Sequence, residues 1–238
     1  MTELCRLDFL PPHLFVDIEA LPEEYFEKWD DIVAVGGGLS VDRLLAAYTA
    51  GAYPMPYREN NGWESIIWFS PFPRLLVLPQ NAKFSKSLQR RIRHQDFEVK
   101  VDTNFAQVIK NCQLMNREGG WINEEIIHAY QQLHDKGFAH SIETYKDGKL
   151  VGGLYGVSIG KMFAGESMFH YENDASKVAF YYLVQILLKF DFHFIDCQQV
   201  SPHFIEWGGT TFSKQAFFEK LNFALSFDSL QQKWTSLL

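Results

Sequence analysis

Between residues 139 and 169 the sequence runs through three segments rich in apolar, β-branched and aromatic residues, 139–145, 150–159 and 161–169, separated only by K-D-G-K at 146–149 and by Gly160. Connections this short permit hairpins alone, because parallel neighbours need a crossover of about a dozen residues or more. The segments are therefore expected as an antiparallel meander. A long apolar helix follows, beginning at Asp174 as its cap and running to Phe190, then a strand over 193–198 and a helix from Ser213. Ahead of the meander, a strand over 97–102 leads to a helix capped by Thr103. A second helix, capped by Asn123 with Glu124 and Glu125 in its first turn, ends at Gly137.

The order βαα, βββ, αβα predicts an acetyltransferase-like (GNAT) domain of the α/β (α+β) class over 96–238. Before it, residues 1–95 are expected as a smaller N-terminal α+β domain, proline-rich and irregular, with one clear helix over 41–50 capped by Ser40 and closed by Gly51. The preceding Gly36-Gly37-Gly38 is not followed by Gly-Lys-Ser/Thr and lacks dinucleotide-binding spacing, so it reads as a strand-to-helix turn. Y-P-M-P-Y at 53–57 and W-F-S-P-F-P-R at 68–74 are expected as rigid loops that gather aromatic rings into a binding surface.

A net charge of −7 argues against a surface made throughout for nucleic acid, so any RNA contact must come from a local patch. One such run exists. From 83 to 94 the chain reads K-F-S-K-S-L-Q-R-R-I-R-H, which groups Lys83, Lys86, Arg90, Arg91 and Arg93 with no acid among them. The cluster suits phosphates without sequence readout; a solvated helix face is the plainer alternative. The sequence has no apolar run of about 18 residues and no signal-peptide pattern, so the expected location is the cytoplasm, with no membrane partner. Cys5, Cys112 and Cys197 are widely separated and fit reduced thiols, and the eight histidines show no metal-ligand spacing, so no metal is expected.

Period-two alternation over 161–169 puts Met162, Ala164, Glu166 and Met168 on one face, which leaves Glu166 as a carboxylate among apolar neighbours. It reads either as half of a structural ion pair or as a carboxylate aimed into a cleft. The same alternation over 193–198 groups Phe194, Asp196 and Gln198 and turns Cys197 away. Polar side chains at the C-terminal end of a strand after a crossover helix stand where open α/β sheets bind ligands. Glu166, Asp196 and Gln198 are the candidate site. Acetyl-coenzyme A enzymes of this fold hold the pyrophosphate on a glycine-rich loop opening the helix after the meander. Here that segment is H-Y-E-N-D-A-S, with no glycine, so neither coenzyme A nor another cofactor is expected.

At these residues the sequence resembles the leucyl/phenylalanyl-tRNA–protein transferase family. The likeness covers nearly the whole chain: V-G-G-G-L-S (35–40) with L-L-A-A-Y, W-F-S-P-F-P-R (68–74), the basic stretch, G-W-I (120–122), A-H-S-I-E (139–143), L-V-G-G-L-Y-G-V (150–157), G-E-S-M-F (165–169), N-D-A-S-K (173–177) and I-D-C-Q (195–198). The resemblance implies a tRNA-dependent aminoacyltransferase that moves Leu or Phe, with Met a further candidate, from aminoacyl-tRNA to proteins beginning with Arg or Lys. That transfer marks the acceptor for N-degron degradation. It further implies Asp196 and Gln198 as the catalytic pair, Glu166 as a holder of the reacting ends, and Trp121, Leu154, Phe163 and Met168 as the pocket for the transferred side chain. The terminal adenosine would lie near Met55, Tyr57 and Trp68, with Met55 standing where the family commonly has Trp. The segment 201–212 also differs from the family's usual loop.

The implied chemistry is modest. The ester is already activated, and an α-amine of pKa near 8 is free in roughly a tenth of molecules at pH 7, so positioning can supply most of the rate. Either the Gln198 carbonyl accepts a hydrogen bond from the attacking amine while Asp196 orients it, or Asp196 is itself the base. A peptidoglycan or small-molecule aminoacyltransferase on the same fold, and a non-catalytic tRNA-binding module, are the alternatives.

Overall fold

The computed structural model describes residues 3–58, 64–115 and 120–237. The first part of the chain forms β1 (Cys5–Arg6), α1 (Glu23–Trp29), β2 (Ile32–Val35), α2 (Val41–Thr49), β3 (Tyr53–Arg58) and β4 (Glu64–Phe69). These strands make one sheet in the order β1-β2-β4-β3, parallel between β1 and β2 and antiparallel elsewhere. Gly36, Gly37 and Gly38 all take positive φ, 76°, 80° and 64°, so this turn from β2 towards α2 needs the freedom of glycine. Ser40 caps α2 by accepting the Arg43 N–H at 3.3 Å.

Residues 53–57, expected as a loop, instead belong to the edge strand β3. Pro54 lies opposite Trp68 and Pro56 opposite Ile66. Alternate residues of an antiparallel edge strand direct their N–H away from the partner, and a proline there sacrifices no ladder bond.

The rest of the chain forms β5 (Arg74–Val77), α3 (Lys86–Arg93), β6 (Glu98–Val101), α4 (Phe105–Met115), α5 (Glu124–Asp135), β7 (Ala139–Lys146), β8 (Lys149–Ile159), β9 (Met162–His170), α6 (Ala175–Lys189), β10 (Phe194–Asp196), α7 (Pro202–Glu206), β11 (Thr210–Phe212) and α8 (Lys214–Leu225). A seven-stranded sheet takes the order β11-β5-β10-β9-β8-β7-β6. β7, β8 and β9 are the predicted meander, and β9 pairs with β10 in parallel across the α6 crossover. The result is the expected acetyltransferase-like arrangement, with a smaller sheet preceding it. β5, from before residue 95, is inserted between β10 and β11, so the larger sheet draws on chain from both sides of that position.

α4 and α5 cover one face of the meander and α6 the other. Val108, Ile109, Ile126, Tyr130 and Leu133 supply the first layer, with α2 packed against α5; Phe180, Leu183, Val184 and Leu187 supply the second. Asn123 caps α5 as expected, accepting from Ile126 at 2.9 Å. Two other caps differ. α4 begins at Phe105, and the Thr103 hydroxyl donates to Glu143 at 2.8 Å instead of capping. Asp174 occupies the N-cap position of α6 but makes no capping bond, its carboxylate being drawn to Lys177 and Arg91. Among the described residues, no helix is long and apolar enough to cross a membrane.

Candidate functional site

β9 and β10 stay paired only from Met162 and Phe194 to Ala164 and Asp196. β10 then stops while β9 runs on, and the gap between them opens into a cavity of about 260 Å³. β9 carries a bulge at this point. Gly165 pairs with Gly156 and Ser167 with Tyr155, leaving Glu166 as the extra residue. The predicted alternation therefore holds for Met162, Ala164 and Glu166 but not for Met168, which the bulge turns to the opposite face, with Phe163. Gly156 makes the bulge possible: a Cβ there would stand 2.2 Å from the Ala164 carbonyl oxygen and 2.4 Å from the Phe163 ring.

Glu166 is half-buried and gathers three donors. Tyr48 of α2 donates to Oε1 at 2.7 Å, Tyr130 of α5 to Oε2 at 3.0 Å, and Gln198 Nε2 to Oε1 at 3.0 Å. The two tyrosine hydroxyls also contact each other. Burial pushes the Glu166 carboxyl up to about 7, against the lowering effect of the tyrosine hydroxyls. Burial likewise raises Tyr48 and Tyr130 well above their usual range, so both stay protonated as donors.

Asp196 is placed differently from the expectation. It is 3% exposed and faces Arg74, whose Nε donates to Oδ1 at 2.9 Å and whose Nη2 donates to Oδ2 at 2.7 Å. Its remaining bond is to the backbone N–H of Gln198, at 2.8 Å. Gln198 takes φ 63°, a left-handed turn immediately after β10, and this breaks the alternation that was expected to continue to 198. Cys197 faces away from Asp196 as expected, but its face, with Ile195, is the one that lines the cavity; the turn brings Gln198 to that side with Glu166, while Asp196 lies behind. Burial and the neighbouring Asp196 charge hold the Cys197 thiol protonated, well above the usual range.

The cavity wall is apolar below these groups. Leu154, Phe163 and Met168 line it, joined by Phe180, Leu183 and Phe204. Trp121, expected with them, is instead partly buried against the core before α5. Trp68 is fully buried, donates its indole N–H to the Gly36 carbonyl at 3.0 Å and packs edge-on against Phe15, so it offers no free ring face. Tyr57 is 49% exposed on β3 and Met55 is half-buried two residues before it. Lys86, Arg90 and Arg93 share the exposed face of α3, and Lys83 is exposed just ahead of it. Arg91 is turned the other way and bonded to Asp96, Asp174 and the Asn173 carbonyl.

Arg74, Tyr48 and Tyr130 were not singled out from the sequence. Arg74 had a signal, as a charged residue heading the otherwise apolar R-L-L-V, which a buried ion pair explains. The tyrosines had none, since a Tyr at helical spacing with Leu and Ala reads as ordinary core.

The family model described as "Leucyl/phenylalanyl-tRNA protein transferase" matches residues 76–222, and that of the family's N-terminal domain matches residues 37–71. The leucyl/phenylalanyl-tRNA–protein transferase of Solidesulfovibrio magneticus is 42% identical over 228 residues, covering 94% of this chain and 91% of its own. That of Desulfatibacillum aliphaticivorans is 41% identical over 229 residues, covering 95% and 97%. Among solved structures, the C-terminal domain of a putative lysylphosphatidylglycerol synthetase from Agrobacterium fabrum matches with a TM-score of 0.39 at 14% identity, covering 87% of this chain and 70% of that one.

Proposed function

The chain belongs to the leucyl/phenylalanyl-tRNA protein transferase family, and from that premise we propose that it transfers Leu or Phe from aminoacyl-tRNA to the N-terminal Arg or Lys of acceptor proteins in the cytoplasm. The enzyme class is a tRNA-dependent aminoacyltransferase. Transfer of this kind would mark the acceptor for degradation.

The observation that carries the reading is the Gln198 side chain. Its Nε2 is committed to Glu166, which leaves the amide carbonyl as the acceptor at the wall of an apolar cavity. The transferred side chain would sit against Leu154, Phe163 and Met168, bringing the ester carbonyl beside Gln198. The acceptor's free α-amine then attacks that carbonyl. A C–N bond forms, the C–O bond to the ribose breaks, and the 3′ hydroxyl leaves with a proton. The Gln198 carbonyl would accept a hydrogen bond from the attacking N–H and so aim the nitrogen lone pair. Glu166 would fix the Gln198 amide plane, and Asp196, held by Arg74, would fix its backbone. Asp196 acts through Gln198 in this account and does not touch the amine. The tRNA body would lie on Lys83, Lys86, Arg90 and Arg93, and the terminal adenosine near Tyr57 and Met55.

Incubation with labelled Phe-tRNA and an Arg-starting peptide tests the proposal. Label on the peptide, absent with Gln198→Ala, is the expected result. Binding of tRNA with no label on the peptide would overturn it.

A further inference from the structure

We propose that Phe204, on α7, sets the upper size of the side chain that the catalytic cavity admits; the inference deepens the aminoacyl-transfer reading above and rests on it. The cavity of about 260 Å³ has two apolar walls. Leu154, Phe163 and Met168 on β8 and β9 form one, and Phe180 and Leu183 on α6 with Phe204 on α7 form the other.

The lining residues differ in how they are held. Leu154, Phe163, Phe180 and Leu183 are buried in the close-packed layer between the sheet and a 15-residue helix, where any change of volume is felt by the core. α7 is five residues long, and Pro202, His203, Ile205 and Glu206 are all exposed. Phe204 is the one residue of this helix that packs inward. It is half-buried, its ring 5.8 Å from that of Phe180 and 5.5 Å from that of Trp207, perpendicular to the latter.

The chain after α7 fixes where this ring stands. Gly208 takes φ 96°, and a Cβ there would lie 2.2 Å from the Asn81 carbonyl oxygen, so α7 ends in close contact with the turn at 79–81. The Gly209 N–H donates to the Phe204 carbonyl at 2.8 Å, and the Lys83 N–H donates to the Trp207 carbonyl at 2.9 Å. Backbone bonds thus hold α7 in place, and the Phe204 side chain is free to vary in size at little cost to the fold. It also lies in the segment, 201–212, that differs from the family's usual loop.

An apolar pocket selects by volume. A side chain too large for it must overpack the wall, and a single methylene changes the rate about 10- to 200-fold. The Phe204 ring occupies space that the second ring of a transferred Trp would need. Shrinking Phe204 therefore shifts the choice towards larger side chains, and enlarging it shifts the choice towards smaller ones.

The test measures transfer from Phe-tRNA, Leu-tRNA and Trp-tRNA to an Arg-starting peptide, each variant being compared with wild type so that differences between the tRNA bodies cancel. Phe204→Ala should raise the Trp-to-Phe ratio of kcat/KM about tenfold. Phe204→Trp should lower the Phe-to-Leu ratio by a similar factor. A packing defect alone would lower all donors together and leave both ratios where they are. Unchanged ratios, or no Trp transfer by Phe204→Ala, overturn the role of Phe204 while leaving the transfer reading intact. Wild-type protein that transfers from none of the three donors overturns that reading and the inference with it.

Discussion

Arg74 and Asp196 form a buried ion pair through two hydrogen bonds of 2.9 and 2.7 Å, tying β5 to β10 directly behind Gln198. Removing one partner leaves an uncompensated buried charge, so Arg74→Met should destabilise the fold by about 3–5 kcal/mol in urea denaturation. The double variant Arg74→Met, Asp196→Leu should lose less than the sum of the two single changes. It should still transfer poorly, because the Gln198 backbone has lost its acceptor. Additive losses would show that the pair is not coupled.

Glu166 ties activity and stability to pH with opposite signs. Ionised Glu166 is the form that accepts the Gln198 amide, so transfer should rise with pH through about 7. Stability runs the other way. The folded chain keeps the Glu166 proton between the ordinary 4.5 and about 7 while the unfolded chain releases it, so stability falls as pH rises across that window. Glu166→Gln should therefore gain on the order of 3 kcal/mol relative to wild type at pH 8 over its difference at pH 4. Parallel stability-versus-pH curves for the two proteins would refute this.

Tyr48 stabilises the ionised form of Glu166 by donating at 2.7 Å. Tyr48→Phe should move the acid limb of the rate profile to higher pH, since a hydrogen bond to a carboxylate lowers its pKa and its loss raises it. An unmoved limb would mean that the limb belongs to another group.

The face of α3 gives a salt test. Lys86→Ala, Arg90→Ala and Arg93→Ala together should reduce the slope of log affinity for tRNA against log salt by about 1 per side chain. Arg91→Ala should leave that slope nearly unchanged and loosen the joint between α3 and α6, which proteolysis or hydrogen exchange would detect.

Gly156→Ala should close the bulge. The new methyl would meet the Ala164 carbonyl at 2.2 Å and force the Phe163 ring into the cavity. Overpacking of this kind costs about 1–3 kcal/mol. Transfer of Phe should fall more than transfer of Leu, because less width remains for a ring. Gly165→Ala, whose Cβ has its nearest neighbour at 3.7 Å, is the control that should be tolerated.

The chain itself determined the meander, its turns, the α6 crossover and the cap at Asn123, because hairpin length and hydrophobic period are local properties. It also determined that Glu166 lies on β9 and Gln198 just past β10, and Leu154, Phe163 and Met168 were named from the family resemblance. The tertiary structure alone decided which carboxylate meets the cavity. Alternation predicts a face only while a strand is regular; one extra residue at Glu166 reversed Met168, and one left-handed turn at Gln198 moved that side chain off the Asp196 face and onto the Cys197 face. The partners of the two carboxylates were equally out of reach. Tyr48 lies 118 residues from Glu166, and Arg74 lies 122 residues from Asp196. No spacing rule spans such distances; only packing α2 against α5 and inserting β5 beside β10 brings them together.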